Sequence, residues 1–308
     1  MDAVDQKISE IRNLVNHPWR QNTLLSNTIV WNKLCASMDV IADTQMAIRS
    51  FFNLPPFSSE TGGYLYLYGL LQALFLQQDA LNHLSEALFN KLYKWDNQYP
   101  DLYAIRNLRN DTTGHPTKRG NDESFHFLAR YSVSKGSFRL MSHFAKTNER
   151  IFKDIDLSDL RSKQEENVLR ILDDVILVMK YEWSKHKSEF MSNKLVNFIP
   201  ETFSYSISKI YEGIYNDYPL VNVNFNMVKE TISKIKLELE KRYGKLSNLS
   251  GLWDVLRRID FILAKLEHWL QSANLKDNYD AEVFLDSLSD RLKELKEMLE
   301  EIDREFSE

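Results

Sequence analysis

Residues 64–92 read YLYLYGLLQALFLQQDALNHLSEALFNKL, and they predict the long helix on which the rest of the chain packs. The first half of this stretch is apolar nearly all round, which is typical of a helix buried at the centre of a bundle. Its most apolar run covers only residues 64–76, which is too short to span a bilayer. We therefore expect a helical bundle built around this segment.

A second informative stretch, residues 106–119, follows it with the sequence RNLRNDTTGHPTKR. Its first residues continue the apolar stripe of a packed helix, whereas Thr-Thr-Gly at 112–114 are poor helix formers. Pro116 disfavours the α conformation for His115. The helix is therefore predicted to end within residues 111–114, with His115 at or just past its end.

Arg109, Asn110 and His115 together suggest acid–base chemistry on a phosphate. Arginine offers a permanently charged fork of donors that matches phosphate oxygens, and histidine transfers protons near neutral pH. Asn110 can orient a ring nitrogen or a phosphate oxygen. Such a set can cleave RNA without a metal ion. The alternative is that Arg109 and His115 fall six residues apart by chance and that His-Pro is an ordinary helix end.

Two further residues are candidate supports for this site. These are Asp79 and Arg106. Asp79 lies one turn before His83 on the central helix, and as a buried polar pair the two can touch the motif helix, where the carboxylate can hold Arg109 in place. A surface-facing pair is the alternative. Two possible ligands without a third do not make a metal site, so we expect no metal.

The charge pattern indicates where an RNA backbone would lie. Residues 103–140 contain seven Lys or Arg and three acidic residues, although the whole chain has a net charge of -5. Lys118, Arg119 and Arg130 are the candidate RNA contacts in this basic segment. A solvated loop and hairpin is the alternative interpretation.

The pattern Arg109-Asn110-x4-His115 resembles the R-polar-x(3–5)-H signature of the HEPN superfamily, and the apolar, glycine-containing helix before it fits the same resemblance, which covers about residues 20–192. The resemblance implies a helical bundle with metal-independent endoribonuclease activity and no cofactor. It also implies a homodimer with both motifs in one cleft, acting as a toxin or antiviral effector under an antitoxin or regulatory protein. Members modified by a nucleotidyltransferase antitoxin tend to carry tyrosine where this chain has Arg119, which leaves that modification unsupported.

After the motif, the hydrophobic period changes from 3.6 to 2, which predicts a β-hairpin at about residues 124–145 and a third short strand near 150–153. Either His126 or His143 can line an RNA groove, but a strand histidine is more often a half-exposed filler. The aromatic residues of the hairpin can stack on bases. For most of them we expect packing instead.

The expected fold is mainly α: a HEPN-like bundle with an inserted hairpin over residues 1–192, and an all-helical assembly or regulatory module over 193–308. Nine glycines and seven prolines in 308 residues favour long helices over turn-rich sheets. The final helix has a coiled-coil-like seam with apolar residues spaced three and four apart, at Leu285, Leu288, Leu292, Leu295, Leu299, Ile302 and Phe306. It can pair within the chain or with a second chain.

Composition and the N-terminal sequence suggest a cytoplasmic protein with no membrane partner. The first residues lack a basic region followed by an apolar core, so no secretory signal is expected. The single cysteine, Cys35, excludes an internal disulfide, suits a reducing compartment and is expected to be a small buried hydrophobe.

Three functional hypotheses follow from the sequence. The leading one is an endoribonuclease with Arg109, Asn110 and His115 doubled across a homodimer. The second is a non-catalytic HEPN-like module that binds RNA, a nucleotide or a protein partner. The third is a structural adaptor organised by the C-terminal helices.

Overall fold

The computed structural model describes residues 2–57, 60–117, 123–216 and 219–307, and within them the fold is mainly helical with a small antiparallel sheet. This confirms the expected fold class. The helices are α1 (Ala3–Val15), α2 (Pro18–Leu25), α3 (Thr28–Asn53), α4 (Glu60–Phe89), α5 (Trp95–Gln98), α6 (Pro100–Arg109), α7 (Leu157–Phe190), α8 (Phe203–Tyr215), α9 (Val221–Tyr243), α10 (Ser250–Gln271) and α11 (Tyr279–Ser307). The strands are β1 (Ser124–Leu128), β2 (Ser137–Phe144) and β3 (Glu149–Asp156).

The chain forms two compact units. The first contains residues 1–15 and 27–179, and the second contains residues 16–26 and 180–308. The sequence placed a boundary at residue 192, whereas the contacts divide the chain within α7 and assign α2 to the second unit.

In the first unit, α3 packs along α4, which supplies the largest share of the buried leucines. The central helix expected at residues 64–92 is therefore present. The prediction that this helix is buried on all sides is wrong for one face. On that face Leu65 is 73% exposed, and Tyr68 and Leu76 are also exposed. The pattern of apolar residues does not reveal this exposed face, because apolar side chains occur on protein surfaces as well as in cores.

The sheet has the strand order β1-β2-β3, with both pairings antiparallel. The predicted hairpin is confirmed, and the third strand is longer than the predicted 150–153. Phe138, Leu140 and Ile155 are buried on the inward face. His126 is also buried there, so the expectation of a half-exposed filler is wrong for this residue.

The outward face of the sheet differs from expectation as well. Phe127 is 50% exposed and Phe152 is 60% exposed, so these rings are not packing residues. The physical reason is that the polar face of β1 finds hydrogen-bond partners in the interior, and the alternation of side chains then points the phenylalanines outward.

In the second unit, α10 packs along α11, and most of the apolar seam of α11 is buried within that unit. The seam therefore pairs within the chain. Behind it, the guanidinium of Arg242 is fully buried and lies 3.2 Å from Asp303, whose carboxylate also accepts hydrogen bonds from the backbone N–H groups of Leu195 and Val196. The guanidinium and the two backbone donors together satisfy the buried carboxylate of Asp303.

Cys35 is only half-buried on α3, so the expectation of a buried hydrophobe is wrong. Across the described ranges, the helices include none that is both long and apolar enough to cross a membrane.

Candidate functional site

The motif helix ends in a π turn. Helix α6 stops at Arg109, residues Asn110–Gly114 form the π turn, and the His115 N–H donates to the Asn110 carbonyl at 2.7 Å. The hydroxyls of Thr112 and Thr113 donate to the carbonyls of Leu108 and Arg109, at 2.7 and 3.0 Å. These bonds compete with the α-helical ladder, which loosens it and widens the turn. The α-helix thus ends at Arg109, before the predicted range 111–114, and helical backbone continues as the π turn to Gly114, with His115 just past its end as predicted. Turns of the π type are frequent at functional sites.

Arg109 is held in one orientation by its neighbours. Its Nε and Nη2 donate to the Gln72 side-chain oxygen at 3.1 and 2.7 Å, and its Nη1 donates to the Asn110 side-chain oxygen at 3.0 Å. The guanidinium carbon lies 4.4 Å from the centre of the Phe75 ring. These bonds use three of the five N–H donors of an arginine, so two remain for an anion among the contacts of the described residues.

Gly114 allows the turn to close on this arginine. A β-carbon at this position would lie 2.8 Å from Arg109 Nη1 and 3.2 Å from the Asn110 side-chain oxygen. The guanidinium therefore lies directly against the Gly114 backbone, one residue before His115. His115 itself is exposed. The π turn thus brings the Gly114 backbone against the Arg109 guanidinium.

The supporting carboxylate contacts a different arginine from the one expected. Asp79 Oδ1 lies 2.8 Å from Arg106 Nη1, and Arg106 lies over the Phe75 ring at 4.0 Å. Asp79 therefore holds Arg106, while Gln72 holds Arg109. Gln72 was missed from the sequence, although it lies seven residues before Asp79 and therefore on the same face of α4. His83 lies 3.3 Å from Glu86 and makes no pair with Asp79 in the described contacts.

The sheet fixes the far side of the π turn through His126. Its Nε2 lies 3.4 Å from Asp111 Oδ1 and 3.1 Å from Ser124 Oγ, and its Nδ1 lies 2.9 Å from Ser142 Oγ. The His126 backbone N–H donates to the Pro116 carbonyl at 2.8 Å. The same residue thus ties β1 to both ends of the segment 111–116. The one feature of the sequence that could have indicated this role is the spacing of Ser124 and His126, which lie two positions apart and therefore on the same face of β1.

The three candidate RNA contacts do not all come to this site. Lys118 and Arg119 lie outside the described residues. Arg130 is exposed in the turn after β1, beyond the end of the strand that is remote from Ser124. It therefore does not join Arg109 in the described structure. Within the described ranges, His, Cys, Asp and Glu side chains form no group of three suited to a metal ion.

Comparison with known proteins found no matching family model, no matching curated protein and no matching solved structure.

Proposed function

We propose that the chain is a metal-independent endoribonuclease whose site consists of Arg109, Asn110 and His115. One observation carries the proposal. The guanidinium of Arg109 is immobilised by Gln72 and Asn110, retains donors for an anion, and lies against the residue that precedes an exposed histidine. A fixed cation beside a mobile proton carrier is what phosphoryl chemistry on RNA requires.

The reaction uses the 2′-hydroxyl of the RNA as the nucleophile. His115 takes the proton of this hydroxyl while the 2′-oxygen attacks the adjacent phosphorus, and the same proton then passes from His115 to the leaving 5′-oxygen. Arg109 stabilises the negative charge that develops on the phosphate oxygens. The P–O5′ bond breaks, which yields a 2′,3′-cyclic phosphate and a free 5′-hydroxyl.

The exposed stripe of α4 supports a homodimer in this proposal. Leu65, Tyr68 and Leu76 are exposed on the side of the helix that also carries Gln72, and a β-carbon added at Gly69 would meet no atom within 4 Å. An apolar stripe with an open glycine suits close approach of an identical helix about a twofold axis. Such pairing places two copies of Arg109 near one cleft.

By its resemblance to the HEPN superfamily, the biological role is that of a toxin or antiviral effector in the cytoplasm, restrained by an antitoxin or regulatory protein. The second unit is the part of the chain available for that partner. The candidate catalytic residues Arg109, Asn110 and His115 all lie in the first unit.

The test is cleavage of total cellular RNA by the purified chain in excess EDTA. We expect cutting by the wild type, and its loss in His115→Ala and Arg109→Ala. His83→Ala is the matched control, because His83 is exposed and lies outside the motif. Cutting that persists in His115→Ala at the wild-type rate contradicts the proposal.

A further inference from the structure

The outward face of the three-stranded sheet carries a row of exposed rings. Phe127 on β1 pairs in register with Met141 on β2, which pairs in register with Phe152 on β3. Phe127 and Phe152 are 50% and 60% exposed. Because neighbouring strands lie about 4.8 Å apart, the two rings stand roughly 10 Å apart on one flat surface.

Charged and aromatic residues flank this row on the same face. Two positions away along the strands, Phe125, His143 and Arg150 form a second row, in which the Phe125 and His143 rings stack at 6.3 Å. Arg150 is exposed. On the other side, Arg139 forms a two-pronged pair with Asp154 at 2.6 and 2.8 Å.

The charge of the sheet identifies the kind of partner that fits this face. Residues 124–156 contain six Lys or Arg and three acidic residues, in a chain of net charge -5. Of the six cations, Arg139 and Arg150 lie on the outward face, Lys153 lies on the opposite face, and the other three lie in the turns between the strands. A local positive charge beside exposed rings is complementary to phosphates and bases. A duplex hides the faces of its bases, whereas a single strand exposes them for stacking.

We propose that the outward face of the sheet, defined by Phe127, Met141, Phe152 and Arg150, binds a single-stranded segment of RNA by base stacking. This inference rests on the proposed function and deepens it, because it identifies the substrate as unpaired RNA. The opposite face of the same sheet holds the π turn through His126 and Asp111. A strand bound on the sheet is therefore anchored to the element that fixes the motif.

The test measures binding in the His115→Ala chain, which is expected not to cut its ligand. The probe is a fluorescein-labelled, unstructured RNA of about twelve nucleotides, a length within the range that sheet-based binders cover, with the matching RNA duplex beside it. Phe127→Leu together with Phe152→Leu removes both rings and keeps apolar side chains. Phe261→Leu is the matched control, because Phe261 is 56% exposed on another surface.

We expect the double variant to bind single-stranded RNA about a hundredfold more weakly, because loss of one stacked ring weakens binding by roughly tenfold. Phe261→Leu should bind as tightly as the parent, and the duplex should bind weakly to all of them. Equal binding by the double variant and its parent overturns the inference. Preference for the duplex overturns it as well.

A second variant keeps the test decisive if the double variant does not fold. Phe152→Trp retains a stacking ring, so it should bind single-stranded RNA and show fluorescence quenching when RNA is added. Binding without quenching overturns the inference.

The inference and the proposed function fail in different ways. If the wild type cuts RNA but its binding does not depend on Phe127 and Phe152, the inference fails and the nuclease assignment stands. If single-stranded RNA binds through these rings but is never cut, the nuclease assignment fails and the binding face stands.

Discussion

At the scale of single residues, Gly114 determines where the Arg109 guanidinium can lie. A β-carbon added at Gly114 would lie 2.8 Å from Arg109 Nη1, which is too close for an ordinary contact. The atoms that such a carbon would meet belong to the ends of flexible side chains, which can move away at little cost in folding free energy. A substitution at Gly114 can therefore move the Arg109 guanidinium without a large change in the stability of the fold.

We expect Gly114→Ala to lower the rate of RNA cleavage by about 10- to 100-fold, because the displaced arginine no longer matches the phosphate. Thermal stability should stay near that of the wild type. Gly136→Ala is the control, since a β-carbon there would meet no atom within 4 Å. A wild-type cleavage rate in Gly114→Ala would contradict the geometry assigned to Arg109.

Gln72 provides a second prediction at this scale. Gln72→Met keeps the length of the side chain but removes the acceptor that holds two nitrogens of Arg109. We expect kcat for RNA cleavage to fall by about tenfold with little change in the thermal midpoint. Gln98→Met, on the exposed surface, should leave kcat unchanged. An unchanged kcat in Gln72→Met would show that Arg109 does not need this support.

At the scale of elements, a chain of buried glutamines links α3, α4 and α7. Gln77 donates to Gln45 at 2.9 Å, Gln164 donates to Gln77 at 2.9 Å, and Gln78 donates to Gln164 at 2.8 Å. These amide–amide hydrogen bonds in the core fix how the three helices align. Since α4 carries Gln72 and Phe75, this alignment also sets the position of the site.

Replacing Gln77 tests that network. Gln77→Leu leaves the Gln45 oxygen and one donor of Gln164 without this partner, and we expect the free energy of unfolding of the first unit to fall by about 1–3 kcal/mol. Chemical denaturation measures it, with Gln98→Glu as an exposed control that keeps the oxygen accepting from the Lys94 N–H and is expected within about 0.5 kcal/mol of wild type. No loss in Gln77→Leu would mean that the chain of amides contributes nothing.

The same elements show what the sequence could and could not predict. The 3.6-residue and 2-residue periods predicted the helices and the hairpin, because burial follows these repeats directly. Period 2 does not say which face of a strand points inward, and β1 buries His126 because Ser124, Ser142 and Asp111 supply its partners. The partner of Arg109 was also beyond prediction, since Gln72 and Asp79 share one helix face.

At the scale of the whole molecule, the two units carry different residues of interest. The motif, the sheet and the exposed stripe of α4 all belong to the first unit. The second unit has its own core, with an aromatic cluster in which His186 stacks on Trp19 at 4.4 Å. The first unit is therefore tested through its oligomeric state, and the second unit through the pH dependence of its stability.

The exposed stripe of α4 predicts the oligomeric state. Leu65→Asp should convert a dimer to a monomer in sedimentation experiments, because a charge in an apolar interface is costly to bury. RNA cleavage should fall with it. Leu177→Asp is the matched control, since Leu177 is 68% exposed on α7. A monomeric wild type that cuts RNA would contradict the paired site.

The second unit should lose stability in mild acid. Burial lowers the pKa of His186 below its usual value, so the folded state favours the neutral ring. Its contribution is complete above the unfolded pKa of about 6.5 and is lost as the pH falls below that value. Tryptophan fluorescence should report this loss as the pH falls below about 6.5, and His186→Phe should reduce it. An equal loss in His186→Phe would assign it to other groups.

The proposed reaction is attack by the 2′-hydroxyl of RNA at a site without a metal ion. The most direct measurement uses an oligoribonucleotide that carries a known cut position, with the 2′-hydroxyl at that position replaced by hydrogen, in excess EDTA. We expect 2′,3′-cyclic phosphate ends from the unmodified RNA and no cut at the modified position. A cut at the modified position, or products with 5′-phosphate ends that form only when a divalent metal is present, would contradict it.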